Sequence, residues 1–239
     1  MPRGPSSAHS LQRDAILNVS ADAFAEAGYP SATMAALAER CGVSKSLLYH
    51  YYPAKGAILF DLMHEYMQRL QALVGEVAAQ ALPAQQALAE VVRRFVREYE
   101  TSRTRHIVLL NDVKFLPATE RAVVIKQERE VVQAFADLIV ATYRIDPARA
   151  KVLTMSVFGM INWTFTWLKP GGALTYAQFA ETVVGMLEGG LTGGAERMKS
   201  FALWVPNVGH TPSTANAPDA PDAPDAAPLK SHLKESHHV

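Results

Sequence analysis

Cysteine is nearly absent from this chain: Cys41 is the only one in 239 residues, so no intramolecular disulfide can form. Hydrophobic residues make up 49% of the chain, so it can bury a core large enough for one or two domains. A single free cysteine beside a glycine is most often a small buried residue rather than a reactive thiol. A reducing compartment, the cytoplasm, is therefore expected.

Long uninterrupted apolar runs are also missing. The N-terminal MPRGPSSAHSLQRD lacks the apolar centre of a secretory signal. The richest apolar stretch, 152–168, contains Thr and Ser residues and Asn162 and ends at KPGG. This pattern predicts a buried helix rather than a membrane span, and we expect no membrane association.

Net charge is zero, with 23 basic and 23 acidic residues, which excludes a uniformly basic nucleic-acid-binding protein. Locally the balance differs, because CGVSKSLLYHYYPAKGAIL, residues 41–59, contains no acid. Three cations, Arg40, Lys45 and Lys55, fall in residues 40–55, and the first acid after them is Asp61. This short segment thus carries positive charge that no acid within it balances.

Enzyme motifs are missing as well. The sequence has no nucleophile elbow, no glycine-rich phosphate loop and no HExxH. Glu128 and Glu130 lie among Lys126, Arg129 and Arg121, a pattern that predicts a charged solvent face. An all-helical enzyme remains a remote alternative, and we expect no catalytic site, no metal site and no cofactor.

Apolar residues recur at three- and four-residue steps through most of the chain, which predicts an all-α fold of about nine helices. We expect a disordered N-terminus (1–10), a helix-turn-helix domain (11–54) and a larger helical body (55–205). The segment 206–239 repeats Ala, Pro and Asp and ends in a histidine-containing stretch, so we expect a disordered tail.

Two short helical segments, MAALAER and KSLLYHYY, are joined by CGVS, a four-residue turn with a glycine. Thr33 and Ser44 are the expected N-caps, and Ala38, Val43 and Leu48 supply apolar contacts between the two helices. This arrangement predicts a DNA-binding helix-turn-helix rather than a plain helical hairpin.

The outward residues of this motif suit duplex DNA, because hydroxyls, amines and helix N-termini bind phosphates and the first turn of a recognition helix reaches base edges. The predicted DNA-contacting residues are Thr33, Ser44, Lys45, Ser46, Tyr49, His50, Tyr51 and Lys55.

Residues 13–63 resemble the TetR family of transcriptional regulators. The resemblance lies in Phe24, Gly28, Tyr29, Thr33, Ala38, Gly42, Val43, Ser44, Leu48, Tyr49, Tyr52, Lys55 and Leu59; Tyr52 stands where the family usually has Phe, and Cys41 where it usually has Ala. The resemblance implies a homodimer with a three-helix DNA-binding head on a helical body. Such a protein represses transcription until a ligand enters the body.

Two body segments, NWTFTWLKPGG and RHIVLLNDVKFLP, resemble the subgroup that represses fatty-acid and aromatic-acid breakdown, including phenylacetate degradation. The resemblance implies an acyl-CoA effector. The predicted pocket residues, each of which could instead be plain core or a solvated turn, are Phe95, Tyr99, Arg103, Arg105, His106, Leu110, Phe115, Phe158 and Trp163.

A third interpretation keeps the head but makes the effector a cationic toxic compound and the target an efflux system. That pocket would need acids among its aromatics, and the sequence offers few candidates: Asp112, Glu98 and Glu100.

Two helices of the body, which contain residues 159–167 and 183–191, are predicted to pair with the same helices of a second subunit in a four-helix dimer interface. Its residues, which could also be internal core, are Gly159, Thr166, Trp167, Val183, Val184, Leu187 and Leu191.

Overall fold

A computed structural model of the chain describes the backbone of residues 7–192 and the side chains of residues 9–189. This range is all-helical, as expected, with two 3-10 turns, Tyr29–Ser31 and Val113–Phe115. The helices are α1 (Ser7–Ala27), α2 (Met34–Arg40), α3 (Lys45–Tyr51), α4 (Lys55–Ala78), α5 (Ala84–Thr101), α6 (Arg103–Asp112), α7 (Ala118–Tyr143), α8 (Pro147–Asn162), α9 (Thr164–Trp167) and α10 (Tyr176–Thr192).

Helices α1–α3 form the head, and local chemistry fixes where α2 and α3 begin. The Thr33 hydroxyl accepts the Ala36 N–H at 3.1 Å, and the Ser44 hydroxyl accepts the Leu47 N–H at 3.1 Å. Both predicted N-caps are therefore confirmed. Gly42 turns the chain between the helices at φ +65°, a left-handed conformation that glycine adopts without strain.

Helix α4 starts in the head and continues through the body. Its inner face is fully buried at Ile58, Leu59 and Leu62. On its flank, Asp61 accepts a hydrogen bond from Arg13 at 2.8 Å, and Glu65 pairs with the same guanidinium. The ion pairs hold α1 against α4.

Helices α4–α10 form the body, in which α7 packs against α4, α5 and α8, and α10 packs against α5. The aromatic rings of Phe95, Phe135 and Phe158 meet in its core, with Phe95–Phe135 and Phe135–Phe158 centroid distances of 4.9 and 4.8 Å. Helix α6 bridges the two parts, because it also packs against α1.

The helix expected to run from Pro147 to Leu168 is interrupted. Helix α8 ends at Asn162, and the single turn α9 follows Trp163, whose φ and ψ are −87° and 0°. At the break, the Thr164 hydroxyl donates to the Ile161 carbonyl and the Thr166 hydroxyl to the Trp163 carbonyl, both at 2.8 Å. Hydroxyls that hydrogen-bond nearby backbone groups favour such interruptions. The described residues contain ten α-helices. If α8 and α9 are counted as the one interrupted helix, the number is nine, as expected.

No helix within residues 7–192 has the length and apolar character needed to cross a lipid bilayer.

Candidate functional site

Helix α3 presents a polar surface to solvent. Leu48 is fully buried and anchors the helix, whereas Lys45, Ser46, Tyr49 and His50 are exposed. The Tyr49 side chain is 53% exposed, so its ring and hydroxyl are both accessible to a partner. The structure thus brings the predicted DNA-contacting residues of α3 together on its outer surface.

Thr33, Ser44 and Tyr51 lie at the margins of this surface. The two cap residues are exposed, and each hydroxyl that accepts a backbone N–H still has a proton to donate. Tyr51 is half-buried, and its ring lies 4.6 Å from that of His9 on α1. Tyr51 is therefore less accessible than Tyr49.

Lys55 is placed differently from the prediction of a mobile phosphate contact. Its Nζ donates to the carbonyls of Tyr29, Pro30 and Ala32 at 3.0, 3.1 and 2.9 Å and lies 4.4 Å from the centroid of the Tyr29 ring. An ammonium group has three donors, and all three are used. Lys55 braces the start of α4 against the loop before α2, so its ammonium is not the mobile cation expected from sequence.

The body contains a cavity of about 210 Å³, partly open to solvent, between α4, α5, α6, α7 and α8. Five of the predicted pocket residues line it: Phe95, Tyr99, His106, Leu110 and Phe158. The remaining lining residues are Met67, Leu70, Leu109, Glu128, Val131, Val132, Met155 and Asn162. The lining is mainly apolar and contains no Lys or Arg.

The other four predicted pocket residues do not line this cavity, and a role for them at its mouth stays a prediction. Arg103 donates to the Phe165 carbonyl at 2.7 Å, and Arg105 donates to Asn18 of α1 at 2.9 Å. Phe115 belongs to the 3-10 turn after α6 and stacks on Tyr29. Trp163 is 60% exposed.

His106 is the centre of a closed polar cluster in the cavity wall. Its Nε2–H donates to the Asn162 carbonyl at 3.1 Å, so Nδ1 accepts from the Tyr66 hydroxyl at 3.3 Å. The ring stacks on Tyr99 at 3.8 Å, and the Tyr99 hydroxyl donates to Asn162 Oδ1 at 2.9 Å. Burial lowers the pKa of His106 to about 4, so the imidazole is neutral at pH 7.

Glu128 belongs to the cavity, although the charges around it predicted a solvent face. Burial raises the pKa of its carboxyl above the ordinary value. Its position carried a signal in the sequence, because Glu128 follows Val124 by four residues and precedes Val131 by three. Both valines are buried, so the three residues share the inner face of α7.

The predicted interface residues fall on two different faces. Gly159, Thr166 and Trp167 are exposed, but Val183, Val184 and Leu187 are buried in the protomer's own core. The latter three are therefore not accessible to a partner. The side chain of Leu191 lies outside the described residues.

Helices α8 and α10 nevertheless have exposed faces. The sequence prediction did not distinguish these from their buried faces. On α8, Val152 and Gly159 are exposed and lie about two turns apart, and exposed Trp163 directly follows the helix. On α10, Thr182, Gly185 and Met186 are among the exposed residues. Small and apolar residues thus face solvent on both helices.

Two family models match the sequence. Residues 16–62 match the bacterial regulatory proteins of the tetR family, and residues 81–191 match the tetracyclin repressor-like C-terminal domain. The first match covers the head and the start of α4, and the second covers most of the body.

Individual proteins are similar over most of the chain. A TetR-family transcriptional regulator from Bordetella parapertussis is 32% identical with a TM-score of 0.70, covering 73% of this chain and 93% of that one. AibR, solved in complex with isovaleryl coenzyme A and operator DNA, is 25% identical with a TM-score of 0.65, covering 73% and 97%. The HTH-type transcriptional repressor KstR2 of Rhodococcus jostii is 22% identical over 80% of this chain and 96% of its own length.

Proposed function

This chain belongs to the TetR family of bacterial regulatory proteins, and we propose that it is a repressor released from operator DNA by an acyl-CoA thioester. The family is one of DNA-binding transcriptional regulators and not of enzymes. The single observation that carries the effector proposal is the apolar cavity behind α6, in a chain similar to AibR, which was solved with isovaleryl coenzyme A.

The cavity favours a small acyl group. Its volume of about 210 Å³ is below the roughly 300–1,000 Å³ of pockets that hold drug-sized ligands. A short branched acyl group or an aryl group such as phenylacetyl therefore suits it better than a long fatty acyl chain. Because the lining contains no Lys or Arg, the coenzyme A phosphates would remain outside the cavity. Such an effector is typical of control over a catabolic operon.

Helix α6 supplies a route from the cavity to the head. Arg105 donates to Asn18 and lies 3.8 Å from Glu65, while the next residue, His106, faces the cavity. A ligand that binds one position of α6 better than another would shift the head with it. Half-sites on DNA repeat every ~34 Å, so small changes in the spacing of two heads abolish simultaneous binding.

The proposed active form is a homodimer in the cytoplasm. The exposed small and apolar residues of α8 and α10 suit an isologous four-helix interface, with Gly159 and Gly185 allowing close approach. Residues 11–54 would bind DNA, and residues 55–205 would bind the effector and the partner.

A second effector class is favoured by Glu128. A carboxylate in an aromatic cavity is a counter-ion for a hydrophobic cation, as an efflux-system repressor would require. We rank this class second, because burial favours the uncharged form of Glu128.

Fluorescence anisotropy on the protein's own upstream intergenic DNA tests the proposal, across a salt series with phenylacetyl-CoA, isovaleryl-CoA, free coenzyme A and a hydrophobic amine. About six phosphate contacts per dimer give a log–log salt slope near −5. Release by a thioester but not by free coenzyme A supports the proposal. Release by the amine alone moves the efflux class ahead, and the absence of DNA binding at any salt contradicts both.

A further inference from the structure

Glu128 is the polar group of the cavity that the protein itself leaves unsatisfied. The other polar lining residues, Tyr99, His106 and Asn162, are hydrogen-bonded to one another. Across residues 9–189, the Glu128 carboxyl has neither a hydrogen-bond nor an ion-pair partner, and burial is the sole cause of its raised pKa.

An unpaired, half-buried acid beside an apolar cavity has a free-energy cost, because it loses part of its hydration without gaining a partner. Replacing it with an apolar residue would remove that cost. A ligand group that hydrogen-bonds the carboxyl would also remove it, and would thereby make binding depend on residue 128.

We propose that Glu128 carries a proton when the effector is bound, donates a hydrogen bond to a carbonyl oxygen of the effector, and so selects acyl compounds from alkyl compounds of equal size. The inference rests on the proposed function, since it assigns to the acyl-CoA effector the atom that this cavity recognises. Glu128 lies on α7 and Asn162 on the antiparallel α8, so the acid and the closed polar cluster line the same cavity from neighbouring helices. The hydrocarbon part would occupy the apolar remainder, which includes Leu70, Phe95 and Phe158.

The test compares two ligands that differ in one oxygen: isovaleryl-CoA and its thioether analogue, S-isopentyl-CoA. Their dissociation constants are measured by calorimetry on the full chain and on its Glu128→Gln and Glu128→Leu variants. Glu130→Gln is the matched control, because it alters an exposed carboxyl on the same helix. Melting temperatures without ligand show whether each variant folds.

The wild type should bind the thioester roughly tenfold more tightly than the thioether, the worth of one good hydrogen bond. Glu128→Gln should keep this preference, since the amide N–H also donates. Glu128→Leu should lose it and melt no lower than the wild type without ligand. Glu130→Gln should match the wild type.

Two results overturn the inference while leaving the effector class intact. One is a Glu128→Leu variant that still prefers the thioester. The other is a wild type that binds both ligands equally. If phenethylamine binds the wild type but not Glu128→Gln, the carboxyl is a counter-ion and the inference is wrong. If neither coenzyme A ligand binds the wild type, both the inference and the proposed effector class are wrong. This result is distinguishable from a failure of the inference alone, which would appear only in the comparison of ligands or variants.

Discussion

The Tyr29 ring, at the start of the turn before α2, stacks on the Phe115 ring, in the turn after α6, with centroids 5.4 Å apart and planes 28° from parallel. Tyr29 belongs to the head and is held by Lys55, whereas Phe115 continues the helix that lines the cavity. The stack is a second contact, besides that of Arg105 with Asn18, between the head and the α6 segment.

Phe115→Ala should weaken the coupling between effector and operator. The residue is 40% exposed, so the loss of stability should stay near 1 kcal/mol, the worth of one aromatic pair. The ratio of operator affinities with and without effector, measured by anisotropy, should move toward one. Leu174→Ala removes a side chain of similar exposure outside the head and should leave the ratio unchanged. An unaltered ratio in Phe115→Ala would rule out this stack as a coupling contact.

Tyr49→Ala should lower operator affinity by about tenfold or more with little change in melting temperature, because the side chain is exposed and its loss leaves no cavity. Tyr49→Phe keeps the ring and separates its contribution from that of the hydroxyl. Normal operator binding by Tyr49→Ala would remove the residue from the DNA interface.

Lys45→Ala should change the salt dependence of operator binding but not the stability, and Lys55→Ala should do the reverse. Lys45 is exposed, so its loss should make the operator salt slope shallower by about one per subunit without lowering the melting temperature. Lys55 bonds three carbonyls, so its loss should cost about 2 kcal/mol of stability and leave the slope unchanged. A shallower slope in Lys55→Ala would restore the phosphate contact predicted from sequence.

Acid should destabilise the protein through His106. Its pKa is about 4 when folded and 6.5 ordinarily, so the unfolded chain takes up a proton first as pH falls below 6.5. The free energy of unfolding should therefore drop by about 2 kcal/mol between pH 7.5 and 5 from this group. Denaturant titrations at the two pH values measure it. His106→Gln, which does not titrate, should show a drop smaller by that amount.

Gly159→Arg should produce a folded monomer. No atom lies within 4 Å of a Cβ added at Gly159, so the protomer tolerates the side chain, while a proposed partner would not. Gly75 on α4 is equally open and exposed, so Gly75→Arg is the matched control. Sedimentation should separate the two variants, and a dimeric Gly159→Arg would place the interface elsewhere.

The head was predictable because its signals are local. The Thr33 and Ser44 hydroxyls accept N–H groups only three residues ahead, and Gly42 adopts the left-handed φ that the turn requires. Such contacts are encoded within a few neighbouring residues and need no knowledge of the rest of the fold.

The body was less predictable, because its contacts depend on which helices meet. Val183, Val184 and Leu187 form an apolar face that could equally have met a partner, and only packing against α5 assigns it to the core. At Glu128, the charges on either side outweighed its alignment with Val124 and Val131. Lys55 looked like a free cation because its three acceptors lie 23–26 residues earlier in the chain.

Helix α6 serves two surfaces with consecutive residues, since Arg105 contacts the head and His106 lines the cavity. Mutations there that alter which compound is recognised would also change how tightly operator DNA is held, so selection on one trait disturbs the other. Val131, Met155 and Phe158 line the same cavity from α7 and α8 and are free of that conflict. Descendants of this protein that acquire new inducers should therefore differ first at those positions, with α6 left as it is.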